Sequence, residues 1–136
     1  MRVLGIDPGY AIVGYGVVEM QGNQLTPLAY NHIVTSPKMT YFERLMAINQ
    51  DMVQLLETWK PTALSIEKIF FSKNVKTAID VAQFRGTLIL DCLNYGMTVA
   101  EYTPNEVKLA VTGYGGADKS QIQKMVKSLL NLSDIP

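Results

Sequence analysis

Residues 1–19, MRVLGIDPGYAIVGYGVVE, set one acid, Asp7, at the end of an apolar run, then a Pro8-Gly9 turn, then a second apolar stretch. Residues 2–7 are apolar enough for a central strand covered on both faces, and 12–20 read as its neighbour. The turn sequence Gln21-Gly22-Asn23-Gln24 leads to a third strand near 25–35, which predicts an antiparallel meander. Side chains alternate along a strand, so Asp7 shares a face with Val3 and Gly5, while Leu4 and Ile6 take the other. A strand that reads as buried thus ends in a carboxylate.

Further along the chain the period changes. Thr40-x-x-Glu43 is a capping box, and Leu45, Ile48, Met52, Leu55 and Leu56 recur at helical spacing up to Pro61. TALSIE (62–67) is a short strand that again ends in an acid, Glu67, opposite Leu64 and Ile66. A long helix is predicted over 75–93, with Ala78, Ala82 and Gly86 at four-residue steps, followed by a strand at 97–102. Thr103-Pro104-Asn105-Glu106 starts another helix with a cap, a first-turn proline and an acid. Gly113-Tyr114-Gly115-Gly116 breaks it, and Asp118-x-x-Gln121 caps a last helix with an apolar stripe of Ile122, Met125, Val126, Leu129 and Leu130. The order β-β-β-α-β-α-β-α-α predicts an α/β fold, a mixed sheet flanked by helices.

Composition bounds the rest. A chain of 136 residues fits one domain, 1–136, on a prior of roughly 150 residues each, with 48% hydrophobic and 18% charged residues as in a globular protein. A single cysteine, Cys92, excludes an intramolecular disulfide or a multi-cysteine zinc site and suits a reducing cytoplasm. No apolar run reaches the length of a membrane span, and no signal-peptide pattern opens the sequence. Twelve basic residues balance twelve acidic ones, but nine of the basic residues fall in 60–136, which permits a basic face there.

The two strand-end acids carry the chemistry. Ligands of open α/β sheets bind at the carboxyl ends of strands. If the Asp7 and Glu67 strands are parallel neighbours, the carboxylates converge, repel one another and rise in pKa unless a divalent cation joins them. Such oxygen ligands suit Mg²⁺. The plainer alternative is that Asp7 before Pro-Gly is a turn former.

The wider string decides between them. LGIDPGYAIVGYGVVE (4–19), LSIEKIFFSKN (64–74), AQFRG (82–86), YTPNEVKLAVTGYGGADKSQIQKMV (102–126) and LLNL (129–132) resemble, in order and over essentially the whole chain, the RuvC family of Holliday-junction resolvases. The resemblance implies a ribonuclease-H-like fold with a five-stranded mixed sheet, three strands in an antiparallel meander plus two parallel ones. It implies a homodimer that binds four-way junction DNA and nicks two strands of like polarity symmetrically in homologous recombination and DNA repair. It also implies two Mg²⁺ or Mn²⁺ ions per complete site, a cytoplasmic setting and a branch-migration helicase partner. Asp7 and Glu67 match the family's first two catalytic, metal-binding acids. The family's remaining ligands sit in an Asp-x-x-Asp motif on a helix after the LLNL segment. The sequence stops at Pro136, which leads us to expect a chain truncated before that helix, competent to bind junctions and deficient in cleavage.

By the same resemblance Phe70 takes the position of an aromatic that wedges into the junction centre; on residue type alone Phe70 and Phe71 are core candidates. Lys108 and Lys119 match basic positions near the active site, where they would contact phosphate or stabilise developing charge. Lys119 and Ser120 lie in a helix's first turn, whose amides favour a phosphate. Lys73, Lys76 and Arg85 flank or lie on the helix after the Phe70 loop and are further DNA-binding candidates, and Ala78, Ala82 and Gly86 mark the expected dimer interface. Lys124 and Lys127 read as solvated surface, His32 as a structural histidine and Cys92 as an inert core thiol. Two alternatives differ in class: a junction-binding module without catalysis, and an actin-like kinase or chaperone ATPase, which needs about twice this length.

Overall fold

The computed structural model describes residues 1–68 and 75–136, with side chains throughout except at Val75 and Lys76. Strand β1 (Arg2–Pro8) pairs antiparallel with β2 (Ile12–Gln21), which pairs antiparallel with β3 (Gln24–Val34). Helix α1 (Tyr41–Trp59) then leads to β4 (Ala63–Glu67), α2 (Val75–Asn94) to β5 (Thr98–Tyr102), and α3 (Pro104–Thr112) and α4 (Lys119–Leu130) follow. The sheet order is β3-β2-β1-β4-β5, with β4 parallel to both β1 and β5. The meander and the two parallel strands stand as expected, and β1 and β4 are neighbours.

All three capping boxes form. Thr40, Thr103 and Asp118 each accept from the backbone N–H three residues on, and Glu43, Glu106 and Gln121 reach back to the cap. These reciprocal bonds satisfy amides that the first helical turn leaves orphaned. Lys60 ends α1 in the left-handed region at φ 50°, ahead of Pro61.

One face of the sheet is sealed by α1 and α2. Leu4, Ile6, Val13, Val17, Leu64 and Ile66 meet Ile48, Met52, Leu56, Phe84, Leu88 and Cys92 in one buried cluster. Each such side chain contributes about 1.5–3 kcal/mol on leaving water. The two helices run in the same direction: Tyr41 bonds Gln83, and eight residues further along each helix Asn49 bonds Asp91. Where the start of α1 meets the middle of α2, Phe84 stacks between Tyr10 and Tyr41, and the Arg44 guanidinium lies 4.5 Å over the Tyr10 ring. Arg44 is itself buried. This aromatic group grips the turn that follows Asp7. The other sheet face carries α3 and α4, neither of which has a fully buried residue.

Candidate active site

Alternation puts Asp7 on the α3/α4 face of β1, because Leu4 and Ile6 are drawn into the core on the other. The same rule places Glu67 opposite Leu64 and Ile66 on β4. The parallel register pairs Gly5 with Ser65 and Ile6 with Ile66, so the two acids leave adjacent strand ends at one level. Between them and α3 lies a cleft of about 390 Å³ lined by Gly5, Asp7, Gly14, Gly16, Ser65, Glu67 and Val107, among others. Three glycines and a serine make its floor almost bare backbone.

The electrostatics record the convergence. Burial pushes the Glu67 carboxyl above its ordinary value, the Asp7 charge raises it further, and Lys108 pulls it back. Two carboxylates and one lysine therefore feel one another across the cleft. Lys108 reaches it from α3, which Thr103 and Glu106 anchor at the end of β5.

Behind the site, Arg85 enters from α2. Its Nε and Nη2 donate to the Glu67 carbonyl at 3.4 and 3.3 Å, and Nη2 also pairs with Glu101 of β5. Its side chain is only 15% exposed, so this guanidinium ties down the end of β4. Sequence reading offered it as a DNA contact, since nothing local in AQFRG announces partners 16 and 18 residues away. Gly9 has an equally structural duty: a Cβ there would lie 2.5 Å from the Ile12 carbonyl oxygen, so the turn after Asp7 admits no side chain.

The remaining candidates scatter. Lys119 and Ser120 are exposed in the first turn of α4, whose end the Asp118 carboxylate already caps, accepting from the Gln121 N–H at 2.8 Å. On α2, Ala78 and Ala82 are half-buried and Gly86 is exposed with open space above its Cα. Phe70, Phe71 and Lys73 lie outside the described residues, as does the side chain of Lys76. Cys92 is buried, and burial pushes its thiol up to about 12, in keeping with an inert role. His32, read from sequence as structural, is exposed on the same sheet face as Asp7; its Cδ2 lies 3.8 Å from the point a Gly14 Cβ would occupy.

Comparison with known proteins supplies the family. The model of "Crossover junction endodeoxyribonuclease RuvC" matches residues 3–136. The chain belongs to the RuvC family. A Brevibacillus brevis crossover junction endodeoxyribonuclease RuvC is 54% identical over 136 residues, which make up all of this chain and 82% of that one. The Thermus thermophilus RuvC structure superposes with a TM-score of 0.91 at 32% identity, over all of this chain and 84% of that one. The T. thermophilus RuvC structure in complex with Holliday junction substrate gives 0.93 at 31%, over all of this chain and 83% of that one. The fold of this RuvC-family chain is accordingly ribonuclease-H-like. Among the described residues no helix is long and apolar enough to cross a membrane.

Proposed function

We propose that the protein is a metal-dependent endonuclease that binds four-way DNA junctions as a homodimer and nicks two strands of like polarity, in recombination and repair in the cytoplasm. The observation that carries this reading is the convergence of Asp7 and Glu67 on one glycine-floored cleft in a RuvC-family chain. With no side chain rising from Gly5, Gly14 or Gly16, a phosphodiester strand can lie close to the sheet. The paired carboxylates fit a hard cation: they are oxygen donors on adjacent strand ends, and burial together with the Asp7 charge raises the Glu67 pKa against the pull of Lys108. Asp7 and Glu67 would hold Mg²⁺ or Mn²⁺, which when bound supplies positive charge at the scissile phosphate and acidifies the attacking water.

The chain's own residues supply the rest. Rigid strand ends fix the two acids, and Arg85 holds the backbone under Glu67. Lys108 offers positive charge to the phosphate oxygens beside Glu67. Lys119 and Ser120 present exposed donors for a phosphate farther along the strand. For Phe70, Lys73 and Lys76 the junction-contacting roles rest on the motif resemblance. Self-association through α2 is supported by Gly86 lying among exposed Ile79, Leu90 and Leu93, a stripe that a second copy would cover. A branch-migration helicase partner rests on the resemblance.

The cleft gathers two carboxylates, and this favours as second reading a junction binder that does not cut. The test is a nicking and binding assay on a synthetic four-way junction, with linear duplex of the same sequence as control. Mg²⁺-dependent paired nicks that vanish in Asp7→Asn support the endonuclease. Junction-selective binding without nicks supports the second reading. Equal binding to junction and duplex without nicks removes both.

A further inference from the structure

The peptide that joins Glu67 to Lys68 is gripped at both of its polar atoms. Its carbonyl accepts from Arg85, Nε at 3.4 Å and Nη2 at 3.3 Å, and its N–H donates to the Tyr102 carbonyl at 2.8 Å. Holding that plane at the last residue of β4 sets where the Glu67 Cα–Cβ bond points. The carboxylate has no such hold of its own: among the described residues it makes no hydrogen bond or ion pair. Its aim into the cleft beside Asp7 therefore depends on the backbone behind it.

Arg85 is held in turn by Glu101. The β4–β5 register sets Glu101 beside Ile66, on the face where Ile66 is buried and Val99 packs against the core. A carboxylate at the edge of that apolar face calls for a cation, and Nη2 of Arg85, reaching over from α2, supplies it. One guanidinium thus ties the end of β4 to β5 and to α2. With the Glu67 carbonyl and the Glu101 carboxylate both engaged and the arginine mostly buried, little of its charge is left for a phosphate.

We infer that Arg85 and Glu101 are a positioning pair for catalysis: together they fix the Glu67–Lys68 peptide so that the Glu67 carboxylate stays aimed beside Asp7, and neither contacts DNA. Partners that orient a metal ligand in this way carry about 10- to 100-fold in metal affinity or activity. The cation comes from the endonuclease reading, on which this rests.

The experiment uses the full-length protein and a synthetic four-way junction. It reads single-turnover nicking against Mg²⁺ concentration, junction affinity in chelator, and the rise in Tm that Mg²⁺ gives without DNA. Arg85→Ala is expected to raise the half-saturating Mg²⁺ about tenfold and to shrink the Tm rise, with junction affinity held within about twofold. Glu101→Ala moves the same way but less far, and the double variant is no worse than Arg85→Ala, as a single unit requires. A protein that is merely destabilised loses active fraction and keeps its half-saturating Mg²⁺. If Arg85→Ala does not fold, Glu101→Gln, at a side chain 45% exposed, carries the test, with an expected rise of about threefold. Weaker junction binding in Arg85→Ala at unchanged half-saturating Mg²⁺ makes Arg85 a DNA contact and overturns the assignment. Unchanged half-saturation in the Glu101 variants overturns it too. If the parent nicks no junction, the endonuclease reading falls instead, and the Mg²⁺-induced rise in Tm still decides the pair.

Discussion

The two faces of the sheet are built to opposite specifications. Under α1 and α2, each strand contributes large apolar side chains, and Phe84, Leu4, Leu64 and Met52 are almost wholly removed from water. Under α3 and α4 the same strands contribute glycines, Ser65, Ala63, Val3, two acids and a histidine, and neither helix buries a residue fully. Because the side-chain period of a strand is two, a single five-residue stretch such as Val3–Asp7 serves both ends at once. The sealed face supplies stability, and the open one spends some of it on converging charge.

Substitutions can break that division. Asp7→Asn should cut nicking by about two to three orders of magnitude while leaving junction affinity and folding stability nearly intact, measured by single-turnover cleavage and urea denaturation. A comparable loss of stability would mean that the acid is a structural turn former after all. Phe84→Ala, on the sealed face, should cost about 3–5 kcal/mol in the same denaturation experiment. Gly9→Ala crosses the division: its Cβ collides with the Ile12 carbonyl, so about 1–3 kcal/mol should go, with a loss of nicking through the displaced Asp7. Glu67 gives the smallest effect and the sharpest sign. Its raised pKa means that the folded protein holds that proton more tightly than the unfolded chain, so stability without metal falls as pH rises from the ordinary carboxylate value through the raised one, then levels off. Glu67→Gln should therefore raise Tm slightly at neutral pH in chelator, and Mg²⁺ should stabilise the wild type more than this variant.

How much of this was legible depends on how far each fact reaches along the chain. Caps and strand alternation come from local patterns, and all three capping boxes and the meander are found where the residues place them; the meeting of Asp7 and Glu67 depends on the β1–β4 register, which the residues offered only as a condition. The placing of His32 level with Asp7 needs two long-range registers, with an irregularity at Val17/Val18 that shifts β3 against β2. A lone histidine in a strand carries no local sign of either. Arg85 is similar: an arginine on a helix reads as a surface cation until tertiary packing shows the Glu67 carbonyl and Glu101 at its tip. Arg44, charged yet buried against Tyr10, escaped for the same reason.

The aromatic stack between the start of α1 and the middle of α2 has a consequence for genetics. Tyr10 belongs to the turn that follows Asp7, and it is held by Phe84 and Arg44, residues that face away from the cleft. In a screen for recombination-defective alleles, Phe84, Tyr41 and Arg44 should therefore appear alongside the acids, and temperature-sensitive lesions should concentrate at those three positions.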